Sequence, residues 1–407
     1  MSNVVTPATA EILPKRNALQ ALKMNWQAAR LNRHEISGSL GDMGLFVPLL
    51  VGMATTCGLN FAVALLFAGI FNFMTGLLFA IPMAVQPMKA IAAVAITNKF
   101  TTPQILAAGV VTGAVILLLG ATNLLQFVMR YVPKSVVRGL QLSLGLALML
   151  QAAQMSVQGR PWLGGDSIVV GLIGFLFLFV ASARSWPGAL WLFAAGLVLA
   201  AAAHREALAQ ISLGFGGFAL QKFAPGDWWI AARDAAIPQI PLTCLNSVVA
   251  VCALSRDLFP QRSASERPVA ISVGLMNLIG CPLGAMPMCH GAGGLAGQYR
   301  FGARTNGSIL FLGGLKIALA LCFGSSLLSL LQIYPHSVLG ALLFFSGLEL
   351  ALVSRDISGR DEAFVMLLTA AIGLALKSTA IGFACGMLFH YLLRLIRPPS
   401  PGKEAAY

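Results

Sequence analysis

The stretches AIPMAVQPMKAIAAVA, Ala80 to Ala95, and GAMPMCHGAGGLAGQYRFGAR, Gly284 to Arg304, each set a Pro-Met pair, a few polar groups and small residues inside strongly apolar surroundings. A chain that could use plain apolar helices breaks them twice, in similar ways. In each stretch a proline, Pro82 or Pro287, is expected to end the preceding helix, with Pro87 a further break, and a short new helix starts a few residues later. Non-helical backbone of this kind cannot face lipid, because each unpaired N–H or C=O there costs several kcal/mol. It must line protein or a watery cavity.

The rest of the composition fits a lipid setting. Of 407 residues, 57% are apolar and only 10% charged, whereas a soluble domain carries about 25% charged residues. Apolar runs alternate with short polar breaks from Leu40 to Ile396, which reads as helices rather than the weak alternation of a membrane barrel. The first 35 residues contain no continuous apolar core, so no cleavable signal is expected; they read as a basic tail with an amphipathic helix around Ala18 to Leu31. The net charge of +13 has no basic groove or zinc-finger spacing beside it, so nucleic acid is not an expected partner. The seven cysteines lie in or beside apolar segments and read as buried hydrophobes.

Fourteen apolar segments can be traced: 40–58, 60–80, 84–98, 104–129, 133–156, 167–182, 187–203, 236–254, 269–283, 290–299, 308–331, 335–353, 362–376 and 378–396. The third and tenth are too short to cross as ordinary helices, which need roughly twenty residues. With a cytosolic N-terminus and alternating direction, 19 Lys and Arg fall on the cytosolic side and six on the other, in line with the positive-inside tendency.

The two opening stretches also align with each other. Phe71–Met83 lies over Met276–Met288 at a shift of 205, matching Asn72 with Asn277 and Pro82 with Pro287. Later stretches follow in order: Thr101 meets Thr305, and Pro133, Ser135, Val136 and Gly145 meet Pro335, Ser337, Val338 and Gly347. The organisation expected is a cytosolic tail 1–34, a first seven-element repeat 35–204, a polar linker 205–234 on the far side, a second repeat 235–398 and a cytosolic tail 399–407. Seven is odd, so the halves are inverted copies, the arrangement by which transporters build two exchangeable conformations. The expected fold is therefore an all-α, seven-plus-seven inverted repeat whose two short helices start near the midplane and present free N–H groups there, a site suited to an anion.

Local residues fit that task. Gln86 supplies an amide donor and Lys89 a point charge, while His290, Gly291, Gly293 and Gly294 combine a polar ring with backbone that an oxyanion can approach. Blander readings stand beside these: the glycines serve helix crossings, Lys89 snorkels or pairs with Asp42, and His290 is a hydrogen-bonded packing residue. Asp42 sits near the start of its helix, where capping and gating are both open. Asn72, Asn277, Thr243, Asn246 and Gln298 either bridge helices or line the cavity, with Asn72 and Asn277 more architectural. Glu349 either pairs with Arg355 or takes part in proton coupling. Cys281, Cys289 and His290 do not make a metal site, and the chain has no Walker or dinucleotide sequence and no catalytic set, so neither cofactor nor enzyme activity is expected.

The blocks GSLGDMGLFVPLLVGMA, FNFMTGLLFAIPMAVQPMKAIAAVAI, GLMNLIGCPLGAMPMCHGAGGLAGQYRFGAR and PHSVLGALLFFSGLELAL resemble the prokaryotic and plant molybdate transporter family, distantly allied to sulfate permeases. The resemblance implies core and gate regions and transport of a tetrahedral oxyanion such as molybdate or sulfate. It also implies a coupled proton; a homo-oligomer and residence in the cell's inner membrane are expected besides. The anion-binding blocks fall on Gln86 to Lys89 and Cys289 to Arg304. The chain ends soon after its last span, so the C-terminal domain of many sulfate permeases is expected to be absent. A nucleobase carrier of the same architecture, or a structural or enzymatic membrane protein, are the rival readings.

Overall fold

The computed structural model describes residues 18–396 apart from 185, 187, 205 and 207–212. The expected tails therefore lie wholly or partly outside the described residues, as does the side chain of Asp42 and with it every reading of that carboxylate. Two short helices come first among the described residues, α1 (Ala18–Ala28) and α2 (Arg33–Ser39). The first repeat follows as α3 (Met43–Cys57), α4 (Phe61–Phe79), strand β1 (Val85–Pro87), α5 (Lys89–Asn98), α6 (Thr102–Ala121), the short α7 (Leu125–Tyr131), α8 (Lys134–Val157), α9 (Ile168–Ala183) and α10 (Gly188–Ala203). The second comprises α11 (Pro225–Leu258), α12 (Glu266–Gly280), strand β2 (Met288–His290), α13 (Ala292–Arg300), α14 (Gly307–Gln332), α15 (His336–Leu352), α16 (Arg360–Ala375) and α17 (Thr379–Ile396). Seven of the described helices are long and apolar enough to cross a membrane unaided.

Packing repeats with the sequence. Helix α4 lies on α14 as α12 lies on α6; α9 lies on α15 as α16 lies on α8; α3 meets α5 as α11 meets α13. The pair α8 and α15 is its own counterpart, and there Gly145 and Gly347, aligned in the sequence repeat, touch each other. A Cβ on Gly145 would fall 2.5 Å from the Gly347 carbonyl oxygen, and one on Gly347 2.6 Å from that of Gly145. Only hydrogen at both positions lets these helices cross so closely. The fold is thus a seven-plus-seven inverted repeat. The first four spans of each repeat gather around the two strands, and the last three of each pack as a second group.

Three expectations are corrected. Helix α4 ends before Pro82: Ala80 takes a left-handed conformation (φ 57°) and its N–H closes on the Gly76 carbonyl. Helix α12 likewise ends at Gly280, in a turn through Pro282 to the left-handed Gly284, several residues before Pro287. Pro82, two residues past the left-handed Ala80, sits where a proline stops a helix, whereas Pro287 lies well beyond the end of α12 and keeps the backbone extended after the break. Next, β1 begins at Val85 and β2 at Met288, two residues off the 205 shift, so Pro82 and Pro287 are not structural equivalents. Finally, α11 starts at Pro225, inside the stretch read as linker.

Candidate functional site

The two broken stretches meet as an antiparallel ribbon, with Val85 opposite His290, Gln86 opposite Cys289 and Pro87 opposite Met288. The ladder extends past the strands, since Met88 N–H donates to the Pro287 carbonyl (2.9 Å) and Gly291 N–H to that of Ala84 (3.4 Å). Extended backbone buried in protein so finds its partners in the other repeat. Two asparagines hold the ribbon in place. Val85 N–H donates to Asn72 Oδ1 (2.8 Å), and Met288 N–H to Asn277 Oδ1 (2.9 Å), while Asn277 Nδ2 donates to the carbonyls of Met288 (2.6 Å) and Val273 (2.8 Å). Both side chains are at most 1% exposed, which places them as anchors of the strands.

Each strand runs into a helix, and because the strands are antiparallel the starts of α5 and α13 lie at opposite ends of the ribbon. Lys89 is the first residue of α5. A helical side chain leans toward its own N-terminus, so Lys89 reaches back across the ribbon. Its Nζ comes within 4.0 Å of where a Cβ on Gly293 would stand, in the first turn of α13. Gly293 itself is exposed and Lys89 half-buried, so the spot is open. Gln86 lies against Gly291, where any side chain would collide with its Oε1. Gln86, Lys89, Gly291 and Gly293 are therefore together, and Gly294 is buried one residue on.

The starts of α5 and α13 differ. Neither has a cap from its own flanking side chain. At α5, however, Gln239 Oε1 accepts from both Ala90 N–H (2.9 Å) and Ile91 N–H (3.2 Å). The N–H groups of Ala292, Gly293 and Gly294, in the first turn of α13, cannot be paired within their own helix.

The remaining candidates sit elsewhere. Side chains alternate along a strand, so His290 faces away from Gln86; it is fully buried, its Nε2 3.1 Å from Ser272 Oγ and its ring edge-on to Phe79. Thr243 Oγ1 accepts from Gln239 Nε2 (2.8 Å). Gln298 accepts from Ser308 Oγ (2.7 Å) at the other end of α13. Asn246 accepts from Arg138 Nη1 (3.2 Å), and Glu349 is exposed on α15. Sequence reasoning missed Gln239, Arg138 and Lys316, the last of which is buried on α14 with Nζ 3.3 Å over the Phe46 ring. For Gln239 a signal existed: a polar residue between Pro238 and Pro241 inside an apolar helix.

Comparison with known proteins gives the site its context. The model of the family described as "Molybdate transporter of MFS superfamily" matches residues 34–148 and 231–350. Molybdate transporter 2 of Arabidopsis thaliana is 42% identical, covering 89% of this chain and 87% of that protein. Molybdate transporter 1 of Arabidopsis thaliana is 40% identical (91% and 92%), and Molybdate transporter 1 of Chlamydomonas reinhardtii 33% (92% and 93%). Among solved structures, murine Solute Carrier 26 family member A9, an anion transporter in the inward-facing state, superposes with a TM-score of 0.69 at 15% identity, covering 96% of this chain and 73% of that one. The transmembrane domain of a cyanobacterium bicarbonate transporter superposes with a TM-score of 0.64 at 14% identity, covering 87% and 97%. The fold is of that seven-plus-seven kind, not the nested three-plus-three repeats of the superfamily in the family's description. With its broken helices, its paired repeats and a family match across both halves, the chain belongs to the molybdate transporter family.

Proposed function

We propose that this chain carries molybdate across a cytoplasmic membrane by alternating access, binding it between Lys89 and the first turn of α13. One observation supports this above the others: the Lys89 ammonium stands beside the positive end of a helix, at an exposed glycine. Two positive features drawn together repel, and an anion between them turns that repulsion into attraction. A tetrahedral dianion accepts from an ammonium and from successive backbone N–H groups at once, and Gly291 leaves room for the Gln86 amide beside it. An uncharged ring, as in the nucleobase reading, gains little from either positive feature. Lys and Arg are concentrated on the side that holds both termini in the alternating count, which supports cytosolic termini.

The test is uptake of labelled molybdate into proteoliposomes, with sulfate as competitor and a proton gradient applied or collapsed. Saturable uptake that excess sulfate barely reduces is expected for wild type. Lys89→Ala should lower it at least tenfold in folded protein, a loss of about 1.4 kcal/mol or more. Equal competition by sulfate would make this a general oxyanion carrier, and indifference to the gradient would remove the coupled proton.

A further inference from the structure

Gln239 lies on α11 between two stretches of widened, π-helical turns, Ala231–Ala236 and Thr243–Val249, and its neighbours Pro238 and Pro241 cannot donate to the helix. The side chain is 1% exposed. Both groups it accepts from are backbone N–H donors, which fixes the carboxamide oxygen toward α5 and leaves Nε2 for the Thr243 hydroxyl. Every polar atom of this side chain is thus engaged. The donors it occupies belong to Ala90 and Ile91, the residues directly after Lys89.

We infer that Gln239 is a positioning residue that closes the start of α5 to the anion, so that the cargo is held by α13 and Lys89 alone. The inference rests on the anion site proposed above. Two inverted helix starts of equal standing would clasp a dianion from both sides and release it slowly, whereas a carrier gains from binding that is weak enough to reverse. A neutral amide suits the task. It accepts both N–H bonds, as a carboxylate would, without placing a negative charge one residue from the lysine that attracts the cargo.

Two substitutions read this out in opposite directions. Gln239→Glu keeps an acceptor on Ala90 and Ile91 but adds charge, and should raise the KM for molybdate uptake roughly tenfold. Gln239→Met keeps the length but frees the two donors, and should lower KM roughly tenfold while also lowering the maximal rate. Both are measured in proteoliposomes, on protein whose thermal unfolding in detergent shows it folded. A residue that merely stabilises α5 would change the melting temperature and leave KM where it was. Unchanged KM in Gln239→Glu, or shifts of the same sign in both variants, overturns the inference; if the methionine variant does not fold, the glutamate variant alone decides. Wild-type protein that takes up neither molybdate nor sulfate would instead overturn the functional reading beneath it.

Discussion

Asn277 carries more of the ribbon than its counterpart. It accepts from and donates to the same residue, Met288, and also ties back to Val273 within α12, whereas Asn72 accepts from Val85 N–H. Truncating it leaves a buried N–H and a buried carbonyl without partners. Asn277→Ala should therefore cost about 1–3 kcal/mol per stranded group, and Asn72→Ala less, as read from thermal unfolding in detergent. Gly291→Ala belongs to the other kind of change: the new methyl collides with Gln86 Oε1. It should depress uptake severalfold with little loss of stability. The equivalence of Asn72 and Asn277 was legible in the sequence because a repeat aligns like with like. The role of Gln239 was not, because its partner Ala90 lies 149 positions away and no local pattern records a contact of that range.

At the scale of elements, helix positions were legible because twenty apolar residues bounded by polar breaks leave little freedom. The strands were not, since three residues carry no period to read. A similar long-range cap closes the start of α15. Asp166, in the loop before α9, accepts from Ser337 N–H (2.8 Å), pairs with Arg160 (2.5 Å) and lies 3.7 Å from His336 Nδ1. Burial pushes its carboxyl up, but the Ser337 hydrogen bonds and the Arg160 charge outweigh that and hold it below the ordinary carboxylate range. A lowered native pKa means the contribution is present above the unfolded value of about 3.9 and lost as pH falls through the native one. The protection of the Ser337 amide, relative to its intrinsic exchange at each pH, should accordingly be lost in wild type only once the pH drops below the ordinary carboxylate range. Asp166→Ala should show fast exchange already at neutral pH and no such acid step, whereas Asp166→Asn, whose amide oxygen still accepts from Ser337, should keep the protection and lose only the acid step.

In the whole molecule, two groups of helices share few polar contacts, and one of them is distinct. Arg138 on α8 is 9% exposed; it donates to both oxygens of Asp356 (2.9 and 2.6 Å) and to Gln141 (2.8 Å), all on its own side, and to Asn246 on α11 (3.2 Å). Only the last bond crosses between the groups. If transport moves one group past the other, this bond must break in each cycle. Asn246→Ala should then raise the maximal uptake rate about threefold at unchanged KM, whereas a change in KM with the rate constant would place Asn246 at the cargo instead.

The ribbon constrains more than the present chain. Its central pair, Gln86 opposite Cys289, joins equivalent strands antiparallel to each other across the local two-fold axis. Two separate seven-span chains could form the same pairing only if one were inserted upside down relative to the other. Such a half would have to enter the bilayer both ways, which a strong bias of Lys and Arg to one side forbids. Joining the halves in one polypeptide lifts that restriction: the charge bias can settle on a single orientation, and the two strands are delivered to each other in fixed one-to-one ratio.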